Sequence, residues 1–285
     1  MNFLVSANEK YMYPLKVMLT SLLESNPYEH HCIYFLHSAV SPKKVHTLKS
    51  YIERQYDCDF FSKQINEEQF ADFPVSHHFS IETYYRFLVQ DVVPASENRV
   101  LWLDVDMIVR KPLKDFYYQD FEGSTLIVCR SINNDPKKIL TKLGCPEGTV
   151  YFNAGTILFN LELLRGISLK DYHEFYNQNY ERITWLDQDI LNAMYALKTK
   201  VCDYRKYNMQ MFSDTTFTEE DLQFIEQHTA ELHYIGAMKP WHNNYLNPCK
   251  KYWTYYEKKA MSLGTKFFVF AKKFYRTIRK LVLTK

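Results

Sequence analysis

Short apolar runs alternate with longer segments of helical periodicity in the first part of the chain. Residues 3–7 and 31–37 are apolar runs of strand length. Residues 13–24 place apolar side chains three and four positions apart, and a second helical segment begins at Ser41-Pro42 and continues to about Tyr56. The order strand–helix–strand–helix predicts an α/β fold in which helices cover both faces of a mostly parallel sheet.

A third apolar run, residues 99–103, is followed directly by Asp104-Val105-Asp106. Continuous apolar strands are typical of parallel sheets covered on both faces, and ligands bind at the carboxyl ends of such strands. Two carboxylates placed there repel each other unless a cation neutralises them, and hard oxygen ligands suit Mg²⁺ or Mn²⁺. The pattern favours a metal site, and the alternative is a turn that only ends the strand.

The rest of the pattern predicts a helix at residues 81–89, strands at 126–129 and 156–160, and a capped helix that begins near Thr218. Residues 131–149 contain two prolines and two glycines, so we expect a loop-rich flap there. No repeat or low-complexity linker interrupts the chain, and a single domain is predicted over residues 1–255.

Composition excludes two common ways of binding a nucleotide. The first of the seven glycines is Gly123. A P-loop and a G-x-G-x-x-G turn both need backbone without Cβ close to a phosphate, so the N-terminal part contains neither motif. The six cysteines include no C-x-x-C pair, which is neither a zinc nor a redox pattern and favours free thiols in a reducing compartment.

The chain begins with a strand pattern instead of a signal peptide, and no apolar segment is long enough to span a bilayer. We therefore expect a cytoplasmic protein. Residues 264–285 contain seven Lys or Arg and no acidic residue, whereas the rest has 28 basic and 33 acidic residues. Within residues 256–285 we predict a basic amphipathic helical tail that binds the inner face of an anionic membrane; the alternative is a helix docked on the acidic body.

The chain contains five motifs that carry chemistry: Tyr84-Tyr85-Arg86, Asp104-Val105-Asp106, Phe152-Asn153-Ala154-Gly155, Asp187-Gln188-Asp189, and the segment from His233 to Trp241. In this order and spacing they resemble glycosyltransferase family 8, and within it the bacterial galactosyltransferases that extend lipid-borne sugars. The similarity covers residues 3 to about 241. It implies a GT-A fold with a single Rossmann-like sheet and a retaining, metal-dependent transferase.

The resemblance implies a metal ion bound by Asp104, Asp106 and His233, and a mixed oxygen and nitrogen set suits Mn²⁺, with Mg²⁺ as the alternative. Gly236 would let the backbone approach the diphosphate of a UDP-sugar, and Lys239 would add positive charge. An ordinary solvated lysine is the alternative for Lys239.

The family binds its nucleoside after the first strand, which implies roles for Ser6, Asn8 and Tyr11, with Tyr11 stacking on uracil. Asn8 stands where the family usually has Asp, and it can still present a donor and an acceptor. By the same resemblance Asn153 begins a short turn ending in Gly155 and holds the donor hexose. The remaining donor contacts implied are Arg86, Val105 and Ala154, and a structural Arg–Asp pair is the alternative for Arg86.

Asp187 and Gln188 are placed by the resemblance around the anomeric carbon, at the start of a helix. Asp189 is expected to cap that helix or to pair inside the protein. Retention of configuration suggests a carboxylate nucleophile, but Gln188 is an amide and a poor nucleophile. We therefore predict a front-side mechanism in which Gln188 supplies only dipolar stabilisation. Acceptor contacts are assigned to His78 and Trp241, which could instead be an exposed histidine and a core tryptophan.

The predicted activity is transfer of galactose or glucose from a UDP-sugar to a glycan or glycolipid acceptor, in cell-surface polysaccharide or lipooligosaccharide synthesis. No nucleic acid partner is expected. The alternatives are a metal-dependent nucleotidyltransferase, a catalytically inactive scaffold that binds a sugar nucleotide, and a glycogenin-like enzyme that glucosylates itself.

Overall fold

The computed structural model describes residues 1–75, 80–132 and 135–262. Its strands are β1 (Asn2–Ala7), β2 (His31–His37), β3 (Cys58–Gln64), β4 (Arg99–Leu103), β5 (Met107–Val109), β6 (Leu126–Arg130), β7 (Phe152–Asn160), β8 (Thr199–Cys202), β9 (Met209–Met211) and β10 (Glu231–Tyr234). Its α-helices are α1 (Met12–Ser25), α2 (Pro42–Gln55), α3 (Val89–Val92), α4 (Lys114–Tyr117), α5 (Pro136–Leu143), α6 (Leu161–Leu164), α7 (Leu169–Asn179), α8 (Leu186–Met194), α9 (Tyr204–Tyr207), α10 (Glu219–His228) and α11 (Lys250–Met261). Short 3-10 helices cover Glu9–Tyr11, Glu67–Phe70, Ile81–Leu88 and Tyr180–Arg182.

Seven strands form the main sheet in the order β3-β2-β1-β4-β7-β6-β8. Neighbouring strands are parallel except where β7 pairs with β4 and with β6. The predicted α/β fold with a mostly parallel sheet is therefore confirmed. Because β7 is reversed, its amino end lies beside the carboxyl end of β4, and the Asp104 N–H donates to the Gly155 carbonyl over 2.9 Å.

Both faces of this sheet are covered, as the apolar runs predict. Phe3 and Val5 of β1 pack on one face with α1 and α2, whereas Leu4 packs on the other face with Tyr84 and Tyr85 of the 3-10 helix. All five side chains are buried. The main sheet thus separates two apolar layers, and only its strand ends present polar groups to a ligand.

Two predicted elements differ from the structure. Residues 131–149, predicted to be a loop-rich flap, contain the helix α5 and are more regular than expected: Asp135 accepts from the Lys138 N–H and Gly144 ends the helix with a φ of 74°. Pro136 and Gly144 therefore mark the helix ends, whereas Pro146 and Gly148 lie in the loop that follows. Asn153 and Gly155 do not form a turn, because β7 begins four residues earlier than predicted and includes both.

The predicted capped helix after Thr218 is confirmed, with Thr218 and Asp221 forming a reciprocal capping box. The first two helices also lie where predicted, and the helix predicted at residues 81–89 is a 3-10 helix followed by α3. All six cysteines are free.

A smaller sheet, β5-β10-β9, packs against α11 through the buried Trp253. This helix continues past residue 255 to Met261, and the Tyr13 hydroxyl of α1 donates to Glu257. The predicted tail, apart from its first residues in α11, lies outside the described residues. No helix within the described ranges has the length and apolar character of a membrane span.

Candidate active site

Asp104, Asp106 and His233 converge at the carboxyl edge of the main sheet. Asp104 follows β4, and the turn that contains Asp106 leads into β5. Since β10 runs antiparallel to β5, it places His233 opposite Met107. The His233 Nε2 atom lies 3.2 Å from Asp106 Oδ1 and 3.8 Å from Asp104 Oδ2. The three groups that the sequence assigned to a metal therefore share one site.

Neighbouring donors fix the orientation of Asp104. Its Oδ1 atom accepts from Trp102 Nε1 over 2.8 Å and from Arg86 Nη2 over 2.9 Å. The Arg86 guanidinium is buried and lies 4.4 Å from the Trp102 ring. Because Oδ1 is used in this way, Asp104 presents Oδ2 to His233.

The His233 ring is held by Asn208, a fully buried residue just before β9. His233 Nδ1 lies 3.0 Å from Asn208 Oδ1, so Nδ1 carries the proton and Nε2 keeps its lone pair toward the carboxylates. The Asn208 amide also donates to Asn153 Oδ1 over 2.9 Å. One amide thus connects the candidate metal ligand to the residue expected to hold the hexose.

Gly155 leaves room for that ring. A Cβ atom built on Gly155 would lie 2.3 Å from His233 Cε1 and 2.7 Å from Nδ1, which is closer than real atoms approach. The glycine is therefore required by the packing of β7 against the imidazole, and not by a turn.

The pKa of the Asp106 carboxyl is shifted by its surroundings. Burial alone would raise the pKa of its carboxyl, but the Lys239 ammonium and the His233 imidazole outweigh burial and hold the pKa well below its usual range. The Lys239 Nζ contacts Asp106 Oδ2 and also donates to the Tyr234 carbonyl over 2.9 Å. Lys239 is buried, so the alternative of an ordinary solvated lysine does not apply.

This donor set fits a divalent cation. Carboxylate oxygens from Asp104 and Asp106 and the His233 nitrogen lie within 4.8 Å of one another. Two carboxylates and one neutral imidazole form the mixed set that Mn²⁺ accepts, and Mg²⁺ is a harder alternative.

Gln188 lies beside this cluster at the start of α8, and its amide is locked. Its Oε1 accepts from the Ala154 N–H over 3.0 Å and from Asn153 Nδ2 over 3.1 Å, while its Nε2 donates to the Tyr151 hydroxyl over 2.9 Å. The backbone donor at Ala154 fixes which end of the amide carries oxygen. Gln188 is thus aligned with Asn153 along one face of the site.

Asp189 serves the structure in the way the sequence predicts. Its Oδ1 accepts from the Tyr151 hydroxyl and its Oδ2 from the Thr184 and Trp185 N–H groups, each over 2.7 Å. Just before Asp187, the backbone of Leu186 adopts a left-handed φ of 50°. Such a conformation is costly for a non-glycine residue, and here it begins the helix that carries Asp187 and Gln188.

Asp187 is buried against Arg86. Its Oδ1 accepts from the Thr83 hydroxyl over 2.6 Å. Its Oδ2 lies 3.1 Å from Arg86 Nε, but that N–H donates to the Thr83 carbonyl, so Oδ2 has no hydrogen-bond donor among the described residues. Burial raises the pKa of Asp187 to about 6, although Arg86 and Thr83 oppose the shift.

Ser6 lies near the end of β1, and Asn8 and Tyr11 follow the strand along the same edge. The Ser6 hydroxyl donates to the Glu82 carbonyl over 2.8 Å, and the Asn8 side chain accepts from the Lys10 N–H over 3.1 Å. The Tyr11 and Trp241 rings meet edge to face, with centroids 6.0 Å apart. Trp241 is half-buried, so it is neither fully in the core nor a free surface ring.

The remaining predicted contacts are placed as follows. Gly236 follows β10 with a φ of 82°, and a Cβ there would lie 3.0 Å from the Phe212 ring. Val105 is half-buried against the main core. His78 lies outside the described residues.

Asn208 and Tyr151 are the residues that sequence reasoning missed. Neither belongs to a recognised motif, and each acts through another side chain: Asn208 through His233 and Asn153, Tyr151 through Gln188. Asn208 stands immediately before a strand of only three residues, which gives no detectable period. The contact that reveals its role is tertiary.

Comparison with known proteins identifies the family of this chain. The sequence model of glycosyl transferase family 8 matches residues 2–245. The chain is 26% identical to a lipopolysaccharide 1,3-galactosyltransferase of Salmonella typhimurium, over 88% of this chain and 76% of that protein. It is 25% identical to a lipopolysaccharide 1,2-glucosyltransferase of Escherichia coli, over 83% of this chain and 71% of that protein.

The fold is also that of a solved glycosyltransferase. The crystal structure of the galactosyltransferase LgtC in complex with donor and acceptor sugar analogs superposes with a TM-score of 0.80 at 23% identity, covering 94% of this chain and 99% of that one. The predicted GT-A fold is confirmed by this likeness. With the family match over most of its length, the chain belongs to glycosyl transferase family 8 and is a glycosyltransferase.

Proposed function

We propose that the protein is a retaining hexosyltransferase that moves galactose or glucose from a UDP-sugar to a lipid-linked sugar, in lipopolysaccharide or lipooligosaccharide synthesis. The observation that carries the proposal is the meeting of Asp104, Asp106 and His233 beside the Asn153–Gln188 pair at one sheet edge. The names of the two relatives above support both donor hexoses.

Asp104, Asp106 and His233 would hold Mn²⁺ or Mg²⁺. When bound, the ion supplies Lewis-acid stabilisation of the charge on the departing UDP. Lys239 keeps its ammonium beside Asp106 and adds a fixed positive charge for the diphosphate. Gly236 brings the backbone close to the same phosphates without a Cβ atom in between.

The nucleoside is assigned to the loop after β1. The Asn8 amide nitrogen makes long contacts, of 3.3 Å to Glu82 Oε2 and 3.4 Å to Ser80 Oγ, so uracil can replace them at small cost. The Tyr11 ring supplies the stacking face. Burial, together with the charges of Asp106 and Glu82, raises the pKa of Tyr11, so the phenol stays neutral beside the diphosphate site.

The hexose is assigned to Asn153, Asp187 and Gln188. In the part of the chain that the structure describes, no group donates to Asp187 Oδ2, and a sugar hydroxyl would supply a donor. Gln188 Oε1 already accepts two hydrogen bonds, so it is a weak nucleophile and serves as an oriented dipole. Bond formation then occurs on the face that UDP leaves: the acceptor oxygen bonds to the anomeric carbon, the carbon–phosphate oxygen bond breaks, and the acceptor proton passes to the departing phosphate oxygen.

The direct test is UDP release from a panel of UDP-sugars, each with and without Mn²⁺, in the presence of a truncated lipopolysaccharide acceptor. We expect release with UDP-galactose or UDP-glucose only when the ion is present, and a retained anomeric configuration in the product. Consumption of a nucleoside triphosphate, or a failure to release UDP from any UDP-sugar of the panel, would overturn the proposal. Intact-mass analysis of the protein after incubation with UDP-glucose distinguishes transfer to the added acceptor from transfer to the chain's own tyrosines, because only the latter increases the mass of the chain.

The proposal includes a location at the inner face of a cytoplasmic membrane. Its support is the basic, acid-free sequence of residues 264–285. Deleting these residues should release the protein from vesicles that contain anionic lipid and should leave UDP release unchanged. Equal binding by both forms contradicts this location.

A further inference from the structure

A second cluster of metal-ligating side chains lies at the opposite end of the parallel strands. His30 precedes β2, Cys32 is the second residue of β2, and Asp59 is the register partner of Cys32 in β3. The register of the two strands therefore brings a thiol and a carboxylate to the same face, beside the imidazole. The candidate catalytic cluster, formed by Asp104, Asp106 and His233, lies beyond the carboxyl end of β4, so the two sites are separate.

The distances in this cluster suit one tetrahedral ion. His30 Nε2 lies 3.1 Å from Asp59 Oδ2 and 3.9 Å from Cys32 Sγ, and all three ligand atoms lie within 4.8 Å of one another. Zinc bonds of about 2.0 Å to nitrogen or oxygen and about 2.3 Å to sulfur, at tetrahedral angles, put ligand atoms roughly 3.3–3.7 Å apart. The observed separations bracket that range.

A fourth residue orients the imidazole. Asp57 Oδ1 lies 2.7 Å from His30 Nδ1. A carboxylate on one ring nitrogen fixes the proton there and turns the lone pair of the other nitrogen toward the metal, which is the usual second partner of a zinc-bound histidine. Without a metal, the same contacts suit a protonated His30 imidazolium between Asp57 and Asp59. A metal ion bound to Nε2 would replace the proton that this nitrogen carries in the imidazolium.

We propose that His30, Cys32 and Asp59 form a zinc site, oriented by Asp57 and completed by water. The thiolate makes the set softer than the catalytic one and favours Zn²⁺ over Mn²⁺ or Mg²⁺. The His30 and Asp59 side chains are 43% and 55% exposed, so the ion can enter and exchange freely. Because β3 is an edge strand, the ion clamps that edge to β2.

The test uses the full chain with Asp106→Asn, which weakens the catalytic cluster, and Co²⁺ as a spectroscopic probe for Zn²⁺. We expect a thiolate-to-cobalt charge-transfer band and tetrahedral d–d bands, displaced by one equivalent of Zn²⁺. Adding Cys32→Ser should abolish the charge-transfer band. Adding Cys145→Ser, which changes another partly exposed cysteine, should leave it intact.

Absence of the band in the Asp106→Asn chain, or its persistence without Cys32, overturns the proposal. Asp59→Asn keeps the test decisive if Cys32→Ser fails to fold, because this exposed side chain tolerates the change. We expect it to weaken Zn²⁺ binding at least about tenfold, and unchanged affinity counts against the site. Zn²⁺ should also raise the thermal midpoint of the Asp106→Asn chain and slow alkylation of Cys32 but not of Cys145.

Discussion

The two metal-capable clusters have similar dimensions and different surroundings. In the catalytic cluster the His233 side chain is 4% exposed, whereas His30 in the other cluster is 43% exposed. Arg86 and Trp102 hold Asp104, Lys239 holds Asp106, and Asn208 holds His233, so every catalytic ligand has its own partner. Around His30, Asp57 is the comparable partner.

The types of ligand atom determine which ion each cluster prefers. The residues that orient the ligands determine whether a bound ion can take part in catalysis. Buried, individually oriented ligands hold an ion in fixed geometry beside a substrate, which is what stabilisation of a leaving group needs. An exposed cluster on two neighbouring strands can bind an ion but offers no adjoining hexose site.

Asp106→Asn should cause the largest effect. It removes a charged ligand and leaves the Lys239 ammonium without its partner, so transferase activity should fall at least about a thousand-fold, equivalent to roughly 4 kcal/mol. UDP release at saturating Mn²⁺ measures it. Asp59→Asn, in the other cluster, should retain activity within about twofold; similar losses in both variants would remove the distinction between the clusters.

Gly155→Ala should follow, because its Cβ would overlap His233. The ring must move away from the carboxylates, and we expect activity to fall about a hundred-fold with a weaker apparent affinity for Mn²⁺. Gly166→Ala is the matched control, since no atom lies within 4 Å of a Cβ built there. Wild-type activity in Gly155→Ala would show that the ring position is not needed.

Asn208→Ala removes the amide that connects His233 and Asn153. We expect a 10- to 100-fold loss, typical of a partner that orients a metal ligand. The diagnostic measurement is the Mn²⁺ concentration at half-maximal rate, which should rise, whereas a purely structural defect lowers the rate at every concentration. Asn208→Asp retains an acceptor for the His233 N–H and should recover most of the Mn²⁺ affinity.

The smallest effect concerns proton binding at Asp187. Its pKa of about 6 lies above the ordinary value of 3.8, so its contribution to the stability of the folded state is fully present below about pH 4 and is lost as the pH rises through 6. The loss is on the order of 2–3 kcal/mol. In urea unfolding, Asp187→Asn should lack this part of the pH dependence.

Thr83→Val is the control for that measurement. It removes the hydroxyl that donates to Asp187, so it should enlarge the same pH dependence. Parallel curves for the parent chain and Asp187→Asn between pH 4 and 7 contradict the assignment.

The sequence was sufficient to predict the strands and helices that have a long apolar run or a clear helical periodicity. The apolar runs of β1, β2 and β4 and the amphipathic α1 were sufficient to place Asp104 and Asp106 at a ligand-binding edge. His233 came only with the family resemblance, because β5 and β10 have three and four residues and too few positions for a period.

Other features depend on contacts that no local pattern contains. The reversal of β7 is decided by pairing with β4 and β6, so Asn153 and Gly155 looked like a turn. The cluster of His30, Cys32 and Asp59 was not predicted from the sequence. Its thiol lies beside an imidazole and beside a carboxylate from the neighbouring strand, and not beside another cysteine. Cysteine spacing alone cannot detect such a site.

The most direct test of the catalytic assignment is titration of the full chain with Mn²⁺, following the paramagnetic resonance signal of the free ion. We expect one Mn²⁺ to bind per wild-type chain and UDP to tighten this binding. Asp106→Asn should abolish Mn²⁺ binding, whereas Cys32→Ser should leave it unchanged. Undiminished Mn²⁺ binding by Asp106→Asn, or a UDP affinity that does not depend on Mn²⁺, would contradict the assignment of Asp104, Asp106 and His233 as the ligands of the catalytic ion.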